Sequence, residues 1–423
     1  MILRADARSL PIRDESVDAI VTDPPYGLEF MGREWDKLAR PRPGNLGGFA
    51  DGNKPSFERV RRHLPAMQDW HRSWAVEALR VAKPGAHLLA FGGTRTHHHL
   101  MCALEDAGWE IRDCLMWLYG SGFPKSLDVS KAIDKAAGAE REAVGFHMRL
   151  GDKRPYRKQG MNGGNYINNP NPAELKVVTA PATDAARQWA GWGTALKPAW
   201  EPIILARKPL DGTVAQNVQT WGTGALNVDG CRIGLGEDRT NGGKGSPSPL
   251  GLISDDGWSP TQLRERPNGG RWPANVILDE EAAAMLDAQA GPQKSGGTPF
   301  TGRHADKTRN TFGIFTGQEN PNGIGGSAGA VSRFFYCAKA SPTERGEGND
   351  HPTVKPLALM RWLCRLVTPP GGVILDPFMG SGSTRIAACT EFFRFIGIEL
   401  NERSCWISME RVAQESLPLT GQP

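Results

Sequence analysis

Val17-Asp18-Ala19-Ile20-Val21-Thr22-Asp23-Pro24-Pro25-Tyr26 decides how the rest of this sequence is read. Its first six residues form a short apolar run rich in β-branched side chains, which suits a buried strand. The two prolines must end that strand, because neither has an N–H to give and both have a fixed φ. A carboxylate, stiff carbonyl-bearing residues and an aromatic ring are therefore presented together at the C-terminal end of a strand. In open α/β sheets that is where ligands bind. Asp23, Pro24, Pro25 and Tyr26 become candidate catalytic residues, a set suited to a planar ring that carries an amino group.

Working outward, residues 2–3 make a short strand before Asp6, and residues 29–67 read as a long loop rich in Gly, Pro and Arg. Trp70, Trp74, Ala75, Ala78 and Leu79 repeat at helical spacing and predict a helix over 68–81. Residues 87–91 predict a buried strand, 95–107 a helix capped by Thr94, and 109–119 another strand. This β-α-β-α-β rhythm belongs to a doubly wound α/β sheet. Between 120 and 330 the rhythm is lost, apart from a helix over 126–137, a strand over 199–208 that can rejoin the main sheet, a small strand over 275–278 and a helix over 280–290. The reading is a core of 1–119 and 331–423 carrying a large loop-rich insertion.

Regularity returns with a strand over 333–339 and a helix opened by His351-Pro352-Thr353-Val354-Lys355-Pro356. Then come a strand, Val373-Ile374-Leu375-Asp376, a tight glycine turn, Pro377-Phe378-Met379-Gly380-Ser381-Gly382-Ser383-Thr384, a helix, and a strand ending in Glu399. Asn401 caps a last helix. This is the missing front half of a nucleotide fold, placed at the back. An acid ending the second strand suits ribose hydroxyls, and glycines let the backbone approach a ligand closely. The spacing is not the dinucleotide fingerprint, and no Lys precedes Ser383-Thr384 to grip a phosphate chain. What remains is a nucleoside without phosphates, with Asp376 placed for an amino or ammonium group. S-adenosyl-L-methionine satisfies both ends. The pairing of the two constellations demands that Asp23 and Asp376 end neighbouring parallel strands.

At these residues the sequence resembles the amino-methyltransferases that modify exocyclic nitrogens of DNA bases. Asp23-Pro24-Pro25-Tyr26 matches their catalytic motif, 376–384 their cofactor motif, and 351–356 the segment before it. Catalytic motif first, target recognition second and cofactor motif last is the β-class, circularly permuted order. The resemblance is strong over 1–119 and 332–413, diffuse between them, and extends over 333–399 to phage and prophage members. It implies a Rossmann-like, mostly parallel sheet of the class I methyltransferase type, with 120–330 as the target-recognition region. By the resemblance, Asp376, Phe378, Gly380, Ser381, Gly382 and Thr384 line the S-adenosyl-L-methionine pocket and Glu399 holds the ribose. Thr353 and Lys355 lie beside the methionine end, and Asp6 touches the adenine. Methyl then passes by direct displacement to a base turned out of double-stranded DNA, with Tyr26 stacking on it. The leading Asp, where cytosine-N4 enzymes more often carry Ser, favours adenine N6. Cytosine N4, an RNA or protein-amide acceptor, and a non-catalytic DNA-binding protein of the same fold stay open as rivals. A homodimer is compatible with the resemblance.

The bulk of the sequence sets the remaining bounds. With 423 residues the chain exceeds one ordinary core. A net charge of +4 permits nucleic-acid binding without requiring it. Arg149, Lys153, Arg154, Arg157 and Lys158, with Tyr156 among them, are candidate phosphate contacts, Arg33 is a further candidate DNA contact, and Trp35 is a candidate to close over the base. The seven cysteines form no Cys-x-x-Cys pair, which fits a reducing cytoplasm and leaves no zinc pattern. His97-His98-His99 cannot converge on one ion from a helix, so no metal is expected. No apolar run approaches the ~20 residues of a membrane span.

Overall fold

The computed structural model describes residues 1–26, 56–120, 122, 126–148, 175–234, 270–295, 327–338 and 355–416. They belong to two units, Met1–Gly120 with Trp200–Pro423, and Ser121–Ala199. The strands of the larger unit's sheet are β1 (Ile2–Arg4), β2 (Val17–Thr22), β3 (Ala82–Phe91), β4 (Glu110–Leu118) and β5 (Trp200–Arg207). They continue with β6 (Val276–Asp279), β7 (Tyr336–Ala338), β8 (Val373–Asp376) and β9 (Arg394–Glu399). Among the described residues their order across the sheet is β1-β9-β8-β2-β3-β5-β4-β6-β7. Every neighbouring pair is parallel except those of β5, which runs antiparallel to both β3 and β4.

The helices are α1 (Ser56–Val81), α2 (His97–Asp106), α3 (Val214–Trp221), α4 (Glu280–Ala290), α5 (Leu357–Val367), α6 (Ser383–Thr390) and α7 (Glu402–Ser416). Two cores separate the faces of the sheet. Leu359, Leu363 and Ala387 from α5 and α6 pack with Ala19 and Val21. Trp74, Ala78, Leu100 and Leu104 from α1 and α2 pack with Val17 and Ile20. All six residues of β2 are buried, as a strand covered on both faces requires. This is a doubly wound, mostly parallel α/β sheet.

Strand β8 lies between β9 and β2, with Ile374 opposite Ala19 and Leu375 opposite Ile20. The helix that follows β8 belongs to one core and the helix that follows β2 to the other. The chain therefore turns in opposite directions on leaving these two neighbours, and a crevice opens at their carboxyl ends. Buried Asp18 fastens the pairing: it accepts from Lys83 Nζ at 2.6 Å and from the Val373 N–H at 2.7 Å.

Local structure departs from the sequence reading at several points. Helix α1 begins at Ser56, inside the stretch read as loop, where Phe57, Val60 and Leu64 already keep helical spacing. Helix α3 lies in a stretch read as loop; its signature is a capping box between Thr213 and Gln216, closed by Gly222 at φ +77°. Residues 331–334 make a 3-10 turn ahead of the short β7. Strand β6 joins the sheet beside β4, within the stretch assigned above to the insertion. Thr94 does not cap α2. The cap position is Thr96, which makes no side-chain capping bond; its hydroxyl donates instead to the Tyr26 carbonyl at 3.0 Å.

The smaller unit holds a hairpin of Ala143–Met148 with Leu175–Thr179 and two short helices, Val129–Ala136 and Asp184–Gln188. Buried Asp134 organises it, accepting from Arg141, from the backbone of Ala182 and Thr183, and from the Thr183 hydroxyl.

Candidate active site

The carboxyl end of β2 is joined directly to that of β8. Thr22, the last residue of β2, donates its hydroxyl to Asp376 Oδ1 at 2.7 Å. Asp376 Oδ1 also accepts the Phe378 N–H at 3.0 Å, and Oδ2 accepts the Thr384 hydroxyl at 2.6 Å. Burial pushes the Asp376 carboxyl up to about 6, against the pull of the Thr384, Thr22 and Phe378 donors. Each carboxylate oxygen has two acceptor positions, so Oδ2 keeps one beyond its bond from Thr384. Asp23 and Asp376 thus end adjacent parallel strands, as their proposed partnership demands.

The glycine turn between β8 and α6 is held from below. Gly380 and Gly382 have φ of +53° and +85°, a region that other residues rarely occupy. A Cβ on Gly382 would lie 2.2 Å from Ser408 Oγ of α7. Arg411, also on α7, donates to the Ser381 carbonyl at 2.8 Å and to its hydroxyl at 3.2 Å. The Ser381 and Thr384 hydroxyls therefore brace the turn, and what it offers a ligand is backbone. Phe378 packs against Trp70 and the fully buried Trp74 of α1, with ring centroids 5.6 and 5.3 Å away. Glu399 at the end of β9 accepts the N–H groups of Gly380 at 2.9 Å and Asn401 at 2.7 Å. Burial raises its carboxyl above the usual value, and these N–H groups draw it back. The carboxylate stays partly open to solvent, a ready acceptor for a diol.

On the other side of β2 lies a compact charged cluster. Lys355, just ahead of α5 and buried, places Nζ 3.0 Å from Asp23 Oδ2 and 3.0 Å from Glu201 Oε2. It also donates to the Tyr26 hydroxyl at 3.2 Å. The Tyr26 hydroxyl in turn donates to Asp23 Oδ1 at 2.8 Å. Burial raises the Tyr26 phenol well above its ordinary value, and the charges of Asp23 and Glu201 add to this, so it stays protonated. Lys355 is held as an ammonium: Asp23 and Glu201 outweigh the burial that opposes its charge. The ammonium also lies over the Phe91 ring, 4.7 Å from its centroid. Tyr119 is pushed up to about 12, by burial first and then by Glu201. Pro24 is buried and Pro25 half-buried behind Asp23.

Asp23, Tyr26, Lys355, Asp376, Phe378, Gly380, Gly382 and Glu399 are thus gathered at the carboxyl edge of β9, β8, β2 and β3. Asp6 lies two residues past β1, on the same edge, because Arg4 is in register with Glu399. Its carboxylate is closed on Arg8, with bonds of 2.7 to 3.2 Å, and that pairing draws it below its usual value. Thr353, Arg33, Trp35, Arg149, Lys153, Arg154, Arg157 and Lys158 lie outside the described residues. The sequence reading missed Glu201 and Arg411. Glu201 is the second residue of β5, and an antiparallel strand starts at the edge where its parallel neighbours end. The strand was legible in the sequence, but its direction was not. Among the described residues no group of three or more His, Cys, Asp or Glu side chains could hold a metal ion. No described helix is long and apolar enough to cross a membrane.

A family model described as DNA methylase, of the N6/N4 type, matches residues 17–410, and the chain belongs to that family. Over 416 residues it is 23% identical to the Type II methyltransferase M.HindIII of Haemophilus influenzae, spanning 95% of this chain and 90% of that protein. A 66-residue stretch is 38% identical to the DNA adenine methyltransferase YhdJ of Escherichia coli, spanning 16% of this chain and 22% of that one. Among solved structures, PvuII DNA methyltransferase (cytosine-N4-specific) is 12% identical, covers 97% of this chain and 85% of its own, and has a TM-score of 0.42.

S-adenosylmethionine is the methyl donor of this family, and the residues present suit it. A partly open carboxylate ends β9, a buried carboxylate with a spare acceptor position ends β8, and the backbone between them admits no side chain at Gly382. Gly382→Ala combines a disfavoured φ with a collision against Ser408. It is expected to destabilise the fold by about 1–3 kcal/mol and to weaken donor binding at least about tenfold. Thermal unfolding and titration calorimetry with S-adenosylmethionine measure both.

Proposed function

We propose that this DNA methylase acts on the exocyclic N6 of adenine, turned out of double-stranded DNA and held against Asp23, Pro24 and Tyr26. The observation that carries the reading is the Asp23 carboxylate, fixed at the tip of β2 beside the strand that ends in Asp376. When bound, S-adenosylmethionine supplies an electron-poor methyl group on a cationic sulfur. Asp376 and Glu399 would hold its ammonium and ribose ends, over the glycine turn.

An amine on an aromatic base is a poor nucleophile, because its lone pair is delocalised into the ring. Asp23 accepts one amine N–H and the Pro24 carbonyl the other, which favours a more tetrahedral nitrogen with its lone pair free. Asp23 is then in place to receive the proton that the nitrogen sheds after it has been alkylated. Stacking on an aromatic ring such as Tyr26, worth ~1–3 kcal/mol per base, offsets part of the cost of extrusion. Buried Cys231, whose thiol is pushed up to about 12 by burial, is no nucleophile, and the reaction needs none. The insertion, with Arg149, Lys153, Arg154, Arg157 and Lys158, is proposed to contact phosphates, Arg33 to contact DNA and Trp35 to close over the base. Adenine is preferred to cytosine on the leading Asp of the tetrapeptide. One relative is named a DNA adenine methyltransferase, in keeping with this.

Labelled-methyl transfer to duplex DNA, followed by nucleoside analysis, tests the reading. N6-methyladenine is the expected product; N4-methylcytosine alone would contradict the choice of base. In the same assay Asp23→Ala should keep donor binding and lose transfer by about 10²–10⁴-fold.

The raised Asp376 carboxyl gives a second test. An ammonium binds the ionised form, so donor binding pulls the carboxyl back down and itself weakens as protons compete. Donor affinity should be level above pH 6 and fall below it, approaching tenfold per pH unit. Asp376→Asn should bind weakly with this dependence removed. A wild-type affinity that is flat from pH 5 to 8 would sink the assignment.

A further inference from the structure

The cluster around Lys355 contains one more carboxylate than charge balance requires. Asp23 and Glu201 both lie 3.0 Å from one buried ammonium, which leaves a net negative charge at the tip of β2. Asp23 alone would neutralise the buried Lys355, so the half-buried Glu201 is a second carboxylate beyond what charge balance needs. The three acceptors Asp23, Glu201 and Tyr26 match the three N–H groups of the ammonium.

We propose that Glu201 is a positioning residue for methyl transfer: by taking a share of the Lys355 ammonium, it leaves the Asp23 carboxylate electron-rich enough to accept from the base amine. The inference rests on the reading of Asp23 given above. Positive charge moves from the donor's sulfur to the base nitrogen during transfer, so the N–H facing Asp23 becomes a stronger donor as the reaction proceeds. A carboxylate cancelled one-to-one by an ammonium responds weakly to that change. A carboxylate that shares its ammonium with a neighbour responds strongly, and the difference falls on the transition state. The geometry fits: Glu201 reaches Lys355 from β5, on the far side of β3 from Asp23, and although its Oε2 also lies 3.3 Å from the Tyr26 hydroxyl, that hydroxyl is closer to Asp23, at 2.8 Å. Tyr119 also faces this charge and stays a neutral phenol.

The test is single- and double-variant kinetics with duplex DNA. Glu201→Gln keeps the shape of the side chain and gives the whole ammonium to Asp23. Its kcat should fall about 10²-fold with both KM values, and donor binding by calorimetry, within about twofold of wild type. Lys355→Met combined with Glu201→Gln removes one charge of each sign, restores the net charge at Asp23, and should recover most of the lost kcat. A Glu201→Gln enzyme with wild-type kcat, or a double variant no better than Glu201→Gln, would overturn the role of Glu201. Asp23→Ala, run alongside, separates the two readings. If it transfers methyl normally, the reading of Asp23 is wrong. If it is inactive while Glu201→Gln is normal, only the inference about Glu201 fails.

Discussion

A hydrogen bond of 2.7 Å joins Thr22 to Asp376 across 354 positions of sequence, and the site depends on it. It closes the pairing of β2 with β8, which Asp18 secures at the other end through the Val373 N–H. Because β8 is inserted between β2 and β9, the front of the chain supplies one half of the crevice and the back supplies the other. Asp23 and Asp376 then lie side by side although their motifs belong to opposite ends of the sequence. A break in that seam would leave each half-site intact and useless to the other.

On either side of the seam the carboxylates have different surroundings. Asp376 is buried among hydroxyl and N–H donors with no cation beside it among the described residues, and its carboxyl is pushed up to about 6. Asp23 shares a buried ammonium with Glu201. A cationic ligand would supply the charge that the β8 side lacks. On the β2 side the cation is built in, and a neutral amine suits the remaining acceptor positions. That contrast supports assigning the donor to one side and the base to the other.

Much of this was legible in the sequence where a local rule fixes the outcome. Two prolines must stop β2, glycines at positive φ must make the turn, and Asn401 caps α7 with its side chain accepting the Ser404 N–H. The β8–α6–β9 unit follows its hydrophobic pattern. The parts that were not legible depend on long-range geometry. The direction of β5 decides whether Glu201 reaches the active edge, and nothing in Trp200-Glu201-Pro202 fixes that direction. The Thr96 hydroxyl leaves its helix uncapped and donates to the Tyr26 carbonyl, a partner 70 positions away. Asp6 lies on the right edge but meets Arg8 first. Local signals passed over include the capping box at Thr213, the Thr183 cap of the short helix Asp184–Gln188 and the helical spacing from Phe57.

The most direct measurement is a structure of the chain with S-adenosylmethionine and duplex DNA carrying its target. The account predicts the donor between Glu399 and Asp376, and an extruded adenine with its amine on Asp23 and its nitrogen about 3–3.5 Å from the methyl carbon. A base that stays stacked, or an amine placed away from Asp23 with the donor bound, would contradict it.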